Sequence, residues 1–139
     1  MYHSPNISII IPAINEEESI GLVLNDIPKD IAREIIVVDN GSHDNTANVA
    51  ENLGAKVMLE PLRGYGSACL RGISVLKKDT DIVVFLDGDY SDHPQDIHTI
   101  LKPILTGKAE MVIGSRMLGV REKGALLPQA LFGNKLAAF

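Results

Sequence analysis

The sequence predicts a doubly wound α/β fold, a three-layer sandwich built around a mostly parallel sheet. Five short runs rich in β-branched residues are largely continuous rather than alternating, which is typical of strands buried on both faces. Segments with a helical period separate these runs, and alternation of strand and helix favours a parallel sheet. With 139 residues, 45% of them hydrophobic, the chain can bury one core, so we expect a single domain over residues 1–139.

The predicted elements follow one another at regular intervals. The strands are expected at Ile7–Ile11, Glu34–Val38, Ala55–Leu59, Asp81–Leu86 and Glu110–Ile113. The helical stripes comprise Ile20, Val23, Leu24 and Ile27; Thr46–Leu53; Ala68, Cys69, Gly72, Ile73 and Leu76; and Ile97, Ile100, Leu101, Ile104 and Leu105. Asp44 is a candidate N-cap of the second helix and Gly54 a candidate end, whereas Pro103 is expected to kink the fourth.

The last part of the chain, Gly114–Phe139, departs from this rhythm. Gly119–Gly124 is charged and flanked by glycines, which is typical of a mobile loop. Leu126–Phe139 resumes a partly helical apolar pattern and ends without Gly, Pro or a polar cap. We therefore expect the chain to be the N-terminal part of a longer domain.

Composition and charge exclude several classes of protein. The formal net charge of −5 argues against a nucleic-acid-binding surface, and the single cysteine, Cys69, excludes an intramolecular disulfide framework. The first residues lack the basic and apolar regions of a signal peptide, and no apolar run approaches the ~18 residues of a membrane span. We expect a soluble, cytoplasmic chain.

Ligands of open α/β sheets bind beyond the carboxyl ends of the strands, so residues that follow the predicted strands are candidates for a site. The segment after the first strand lacks the glycine-rich turn of a dinucleotide-binding fold. Glu17 and Glu18 are accounted for by a favourable interaction with a helix dipole. The residues that precede the regular helix and are able to line a site are Pro12, Ala13, Asn15 and Glu16.

Three other strand ends carry candidate residues. Asp39 ends the second run, where a carboxylate can accept hydrogen bonds from a base or ribose, and Asn40-Gly41 after it is a strong turn former. Arg63–Gly66 and Gly114–Arg116 each place an arginine and glycine backbone where diphosphate oxygens could be held. Each of these signals by itself is also compatible with an ordinary loop.

The segment Asp87-Gly88-Asp89 is the most informative. Two carboxylates at i and i+2 project to the same side of an extended chain, and such a pair is costly unless a cation lies between them. Mg²⁺ or Mn²⁺ is the expected cation, because these ions take oxygen ligands and share them with substrate phosphates. Gly88 would leave room for a closely approaching nucleotide. The alternative is a solvated acidic turn in which Asp92 caps the helix that follows Pro94.

Taken together, these segments resemble the family-2 glycosyltransferases of GT-A fold, and most closely the branch of dolichol-phosphate mannose synthase and other polyprenyl-phosphate glycosyltransferases. The matching segments, in the order and spacing of the family, are Ile11-Pro12-Ala13-Ile14-Asn15-Glu16-Glu17, Val38-Asp39-Asn40-Gly41-Ser42, Arg63-Gly64-Tyr65-Gly66, Asp87-Gly88-Asp89 and Gly114-Ser115-Arg116.

The resemblance implies a role for each matching position. The nucleoside would be held by Pro12, Ala13, Asn15, Glu16 and Asp39. The nucleotide sugar would also contact Gly66 and Gly88, while Asp87 and Asp89 would hold the metal and the diphosphate. Arg116 would lie near the diphosphate or the acceptor phosphate.

The resemblance also implies an activity. A sugar would pass from a UDP- or GDP-linked donor to an acceptor such as a polyprenyl phosphate, with inversion and with help from Mg²⁺ or Mn²⁺. Residues 117–139 would be a loop and the start of an acceptor-side or membrane-proximal helix, so the full-length protein could lie at the inner face of a membrane. No catalytic base can be named, and the oligomeric state is open.

Three alternatives remain at this stage. The chain could be a nucleotide-sugar-binding module without turnover. A nucleotidyltransferase that forms sugar nucleotides shares the architecture but would carry a basic, glycine-rich loop where residues 13–19 are acidic. A response-regulator receiver would have its acidic pair after the first strand and a lysine near Arg116.

Overall fold

The computed structural model describes residues 4–115, in two compact units that divide between Thr99 and Ile100. The first unit contains a parallel sheet of four strands in the order β3-β2-β1-β4. The strands are β1 (Ile7–Ala13), β2 (Glu34–Asp39), β3 (Lys56–Leu59) and β4 (Ile82–Phe85). The helices are α1 (Ile20–Asp26), α2 (Thr46–Asn52), α3 (Tyr65–Ser74), a 3₁₀ turn (Pro94–Asp96) and α4 (Ile97–Leu105). The predicted α/β fold with a parallel sheet is confirmed.

The central strands β1 and β2 are largely buried on both faces, whereas the edge strands β3 and β4 are partly exposed. On one face, Ile10 and Ile36 pack with Ala68 of α3, and all three are fully buried. Successive strand residues point to opposite faces, so Ile9 and Ile11 belong to the other face, and they are fully buried as well. A sheet covered on two sides needs continuous apolar strands, which is the pattern that the sequence shows.

Helix α3 lies unusually close to the sheet. A β-carbon added at Gly72 would lie 2.5 Å from Cγ2 of Ile10, closer than side chains tolerate. The glycine therefore allows a close approach of α3 to β1, in agreement with the small residues on the predicted third stripe.

Strand β1 is longer than predicted, and it includes Pro12 and Ala13, which the sequence placed after the strand. Pro12 pairs with Val38 and Ala13 pairs with Asp39 of β2. Pro12 lies two residues after Ile10, so the backbone groups of both residues point to the same side of the strand. The carbonyl oxygen of Ile10 accepts a hydrogen bond from the N–H of Leu86, which identifies that side as the one facing β4. The missing N–H of Pro12 thus faces the region beyond the end of β4, where no ladder hydrogen bond is lost.

The glutamates expected at the start of the first helix lie before it. Residues 17–19 form a turn, and α1 begins at Ile20 with no acidic residue in its first turn. The carboxylate of Glu17 instead accepts a hydrogen bond from the backbone N–H of Asn45, at 3.0 Å, just before α2. Glu17 therefore joins two loops, which a helix-dipole argument did not anticipate.

The predicted fifth strand, Glu110–Ile113, is not formed in the described part of the chain. A strand exists through pairing, and this run has no ladder to another strand within residues 4–115. Met111 and Ile113 are 75% and 76% exposed, although their apolar character favoured burial. Within the same range, no helix is long and apolar enough to cross a membrane.

Candidate functional site

An open cleft of about 220 Å³ lies at the carboxyl ends of β1 and β4, beside the first turn of α3. Its position agrees with the rule for ligand sites in open α/β sheets. The lining residues are Pro12, Ala13, Ile14, Glu16, Asn40, Tyr65, Asp87, Gly88 and Asp89.

The cleft brings together most of the residues that the sequence singled out. The predicted residues that line it are Pro12, Ala13, Glu16, Asp87, Gly88 and Asp89. Asn15, Asp39 and Gly66 do not line it, and Arg116 lies outside the described residues. Ile14, Asn40 and Tyr65 line the cleft but were not singled out, although each lies in a segment that follows a strand.

Asp87 and Asp89 lie on a short loop that is held together by hydrogen bonds between its own side chains and its own backbone. The backbone N–H of Asp87 donates to Oδ2 of Asp92 at 3.1 Å, and the N–H of Ser91 donates to Oδ1 of Asp89 at 3.0 Å. Asp92 was considered as a helix cap, yet the 3₁₀ turn that follows has no side-chain cap. Asp92 instead folds the loop back on itself, which holds Asp87 and Asp89 at the end of β4.

Gly88 is needed for packing within the protein. A β-carbon at this position would lie 3.2 Å from Cβ of Ala13 and 3.3 Å from the carbonyl oxygen of Pro12. The carbonyl oxygen of Gly88 lies 2.8 Å from Oγ of Ser19, at the start of α1. The acidic loop therefore rests directly against the end of β1, and this contact, rather than room for a ligand alone, accounts for the glycine.

Asn15 and Asp39 both form hydrogen bonds with the loop after β2 and do not line the cleft. The side-chain Oδ1 of Asn15 accepts from the N–H of His43 at 2.8 Å, and its own N–H donates to Oγ of Ser42 at 2.9 Å. Oδ1 of Asp39, which is buried, accepts from the N–H of Ser42 at 2.9 Å. Asn15 therefore holds the loop after β2 against the loop after β1, whereas Asp39 closes the turn that follows its own strand, so the visible role of both side chains is structural.

Asn40 has a larger role than a turn former. Its Nδ2 donates to the carbonyl oxygens of Glu60 and Leu62 at 2.8 and 2.9 Å, and its Oδ1 accepts from the N–H of Gly64 at 2.8 Å. This buried side chain thus ties the end of β2 to the segment that leads into α3, and so sets the position of Tyr65.

Tyr65 and Gly66 begin helix α3 rather than forming the predicted loop. A β-carbon at Gly66 would meet no atom within 4 Å, so packing does not require glycine there. Partial burial raises the pKa of Tyr65 to about 12, and the negative charges of Asp87 and of the Cys69 thiol once it ionises reinforce the effect. Tyr65 is therefore a neutral hydrogen-bonding group beside the acidic pair.

The cleft is acidic but holds no complete metal cage. Within residues 4–115, no group of three or more His, Cys, Asp or Glu side chains is arranged to hold a metal ion. Asp87 and Asp89 are two carboxylates on one loop, which is a donor set that a hard cation completes with phosphate oxygens and water. The arrangement is suited to a ligand that brings its own phosphate groups.

The amino-acid sequence is similar to those of known proteins. Protein RfbJ of Shigella flexneri is 39% identical over 117 residues, with 84% of this chain and 89% of RfbJ covered. The UDP-N-acetylglucosamine–dolichyl-phosphate N-acetylglucosaminyltransferase of Methanococcus voltae is 33% identical over 135 residues, with 84% of this chain and 54% of that protein covered.

A solved structure shares the fold. Glucosyl-3-phosphoglycerate synthase from Mycobacterium tuberculosis, in complex with Mn²⁺, uridine diphosphate and glucosyl-3-phosphoglycerate, superimposes with a TM-score of 0.65 at 35% identity. The match covers 73% of this chain and 40% of the synthase, so this chain spans less than half of that enzyme. The sequence profile of glycosyl transferase family 2 matches residues 8–132, a range that contains every residue of the cleft, and the chain belongs to that family.

Proposed function

We propose that this protein binds a nucleotide-diphosphate sugar in the cleft and that the protein transfers the sugar to an acceptor with the help of a divalent cation. The observation that carries the proposal is the acidic pair Asp87 and Asp89, held on the cleft against the end of β1. A diphosphate bound there brings the negative charge that a cation can bridge to the carboxylates.

The residues present fit Mg²⁺ or Mn²⁺. Asp87 and Asp89 would hold the cation, since two neighbouring carboxylates repel each other until a positive charge offsets them. A site of two carboxylates is incomplete by itself, which suits a cation shared with the diphosphate of the donor. The bound cation would supply stabilisation of the negative charge that develops on the departing nucleoside diphosphate.

The nucleoside would lie along the end of β1 and the loop that follows. Pro12, Ala13 and Glu16 line this part of the cleft and would contact it directly. Asn15 bonds to the loop after β2 and Asp39 closes that same loop, so both would act on the nucleoside by holding the loop in place. Gly66 would leave the first turn of α3 open to the ligand, and Arg116 would approach the phosphates.

A UDP-linked sugar is the first donor to test, because the mycobacterial synthase binds uridine diphosphate and the archaeal relative is named for UDP-N-acetylglucosamine. The archaeal relative acts on dolichyl phosphate and the synthase binds glucosyl-3-phosphoglycerate, so both relatives use phosphate-bearing compounds. A polyprenyl phosphate is therefore our proposed acceptor. Its anionic oxygen would attack the anomeric carbon from the face opposite the diphosphate, and an anion needs little help from a base.

Binding is tested by thermal denaturation of the chain with UDP or GDP, each with Mn²⁺, with Mg²⁺ or with a chelator. A ligand at ~100 times its dissociation constant adds about 2.7 kcal/mol to the free energy of unfolding, so the melting temperature should rise. Asp89→Asn should lose the metal-dependent part of this rise. Asp79→Asn is the matched control, because Asp79 is an exposed carboxylate paired with Arg33 and precedes β4, away from the cleft.

Two outcomes would contradict the binding proposal. Equal stabilisation of the wild type and Asp89→Asn by the nucleotide with Mn²⁺ would overturn the metal site. A wild-type melting temperature that no nucleotide changes would overturn the nucleotide site.

Turnover is tested separately, by assaying transfer from UDP-sugars to polyprenyl phosphate. Product formed by this chain or by a longer form of the protein supports the transferase. Nucleotide binding without transfer by either form would favour the alternative, a nucleotide-sugar-binding module.

A further inference from the structure

The acidic loop makes a second contact with α1, through residues that do not line the cleft. Tyr90 directly follows Asp89, and its hydroxyl donates a hydrogen bond to Oδ2 of Asp26. Nε2 of Gln95 donates to the same oxygen at 2.9 Å. Asp26 is the last residue of α1, so its carboxylate is presented by a regular element rather than by another loop.

The backbone at Tyr90 explains why such a contact matters. Its φ angle is 61°, and among the described residues only Asn15 shares a positive φ without being glycine. A bulky residue rarely adopts this left-handed conformation unless the surroundings hold it there. The hydrogen bond to Asp26 restrains the side chain of Tyr90, and Tyr90 directly follows Asp89 in the loop.

The acidic loop is therefore bonded to both ends of helix α1. At the start of α1, Oγ of Ser19 lies 2.8 Å from the carbonyl oxygen of Gly88. At its end, Asp26 accepts from Tyr90. These two anchors lie on either side of Asp89 in the loop and are about 10 Å apart along the helix at 1.5 Å per residue.

We propose that Tyr90 and Asp26 form a positioning pair, which sets the direction of Asp89 for the diphosphate and its cation. This inference rests on the proposed function. Tyr90 does not line the cleft, so the pair acts through Asp89 and not by touching the ligand. The pair would act through the backbone that joins Tyr90 to Asp89, and so would orient a metal ligand without contacting the ion.

Four variants test the pair. Tyr90→Phe and Asp26→Ala each remove the hydrogen bond, Asp26→Asn keeps an oxygen that can accept it, and the double variant Tyr90→Phe/Asp26→Ala removes both partners. Asp79→Asn again serves as the control, because it changes an exposed, hydrogen-bonded carboxylate far from this loop. The dissociation constant of UDP is measured with Mn²⁺ and with a chelator, and urea denaturation gives the stability of each variant.

We expect Tyr90→Phe and Asp26→Ala to weaken Mn²⁺-dependent UDP binding about ten-fold, as is typical of groups that orient metal ligands. Binding of UDP in chelator should not change, Asp26→Asn should restore the wild-type value, and the double variant should be no weaker than either single one. Equal losses with and without Mn²⁺, additive losses in the double variant, or no loss at all would each overturn the pair.

Hydrogen–deuterium exchange of the free protein separates this proposal from the proposed function. Because the loop is held without a ligand, Tyr90→Phe should speed exchange of the amides of Asp87 and Ser91 while leaving the strands unchanged. Unchanged exchange would overturn the positioning pair whatever the protein binds. A wild type that takes up no UDP with Mn²⁺ would overturn the proposed function alone.

Discussion

The side-chain Oδ1 of Asn40 accepts a hydrogen bond from the backbone N–H of Gly64 at 2.8 Å. The same side chain donates to two carbonyl oxygens of the segment between β3 and α3, so one amide satisfies three backbone groups. Through this arrangement the end of β2 determines where α3 begins, and therefore where Tyr65 meets the acidic pair.

Replacement of Asn40 by alanine should lower the free energy of unfolding by about 1–3 kcal/mol, because three partly buried backbone groups lose their partners. Urea denaturation measures the change. Asn45→Ala is the control, since Asn45 caps α2 without any side-chain hydrogen bond, and its effect should stay within about 0.5 kcal/mol. Similar losses in the two variants would contradict the role of Asn40.

Gly88→Ala should weaken UDP binding in the presence of Mn²⁺. The added methyl group would be 3.2 Å from Cβ of Ala13 and 3.3 Å from the carbonyl oxygen of Pro12, both in the paired end of β1, so the acidic loop has to move. A displaced carboxylate should cost about ten-fold in affinity, as measured by calorimetric titration. Gly21→Ala should leave the affinity unchanged, because a β-carbon there makes ordinary contacts of 3.5 and 3.6 Å.

Gly72→Ala should destabilise the fold. The new β-carbon would overlap the side chain of Ile10, which is fully buried and cannot turn away. Overpacking of this kind costs about 1–3 kcal/mol, which offsets or exceeds the ~1 kcal/mol that alanine gains over glycine in a helix. Gly66→Ala in the same helix places its methyl group in open space and should raise the melting temperature. A Gly72→Ala variant that melts at a higher temperature than Gly66→Ala would be evidence against close packing of α3 on the sheet.

Tyr65 should make the stability of the protein decrease at high pH. Partial burial, together with Cys69 and Asp87, raises the pKa of its phenol from 10.0 to about 12. The folded state therefore binds this proton more tightly than the unfolded state does, so the stabilisation is complete below pH 10 and is lost as the pH rises towards 12. The free energy of unfolding of Tyr65→Phe, measured by urea denaturation, should decrease less over this pH range.

A spectrophotometric titration checks the cause. The titration step near pH 12 should be absent from Tyr65→Phe, because that step belongs to the phenol of Tyr65. Asp87→Asn should lower the pKa of this phenol by removing a nearby negative charge. A phenol that ionises at its ordinary pKa in the wild type would contradict the arrangement in the cleft.

The sequence alone determined the order of elements and the edge of the sheet where the site lies. Continuous apolar runs, helical periods and the glycines that end helices are local properties, so four strands and the helices between them could be predicted from them. The acidic pair was also predictable, because two carboxylates directly after a continuous apolar run repel each other unless a cation lies between them. The run Glu110–Ile113 had the same local character, yet a strand also needs a partner, which composition does not reveal.

Only the tertiary structure decided which side chains meet. Tyr90 and Asp26 are 64 positions apart in the chain, and Asn40 and Gly64 are 24 apart, so no local pattern links them. Folding of the chain brings these groups within hydrogen-bond distance, so that Asp26 accepts from both Tyr90 and Gln95 and the Asn40 amide bonds to three backbone groups. The residues that carry charge were visible in the sequence, whereas those that hold them in place appeared only when the chain was folded.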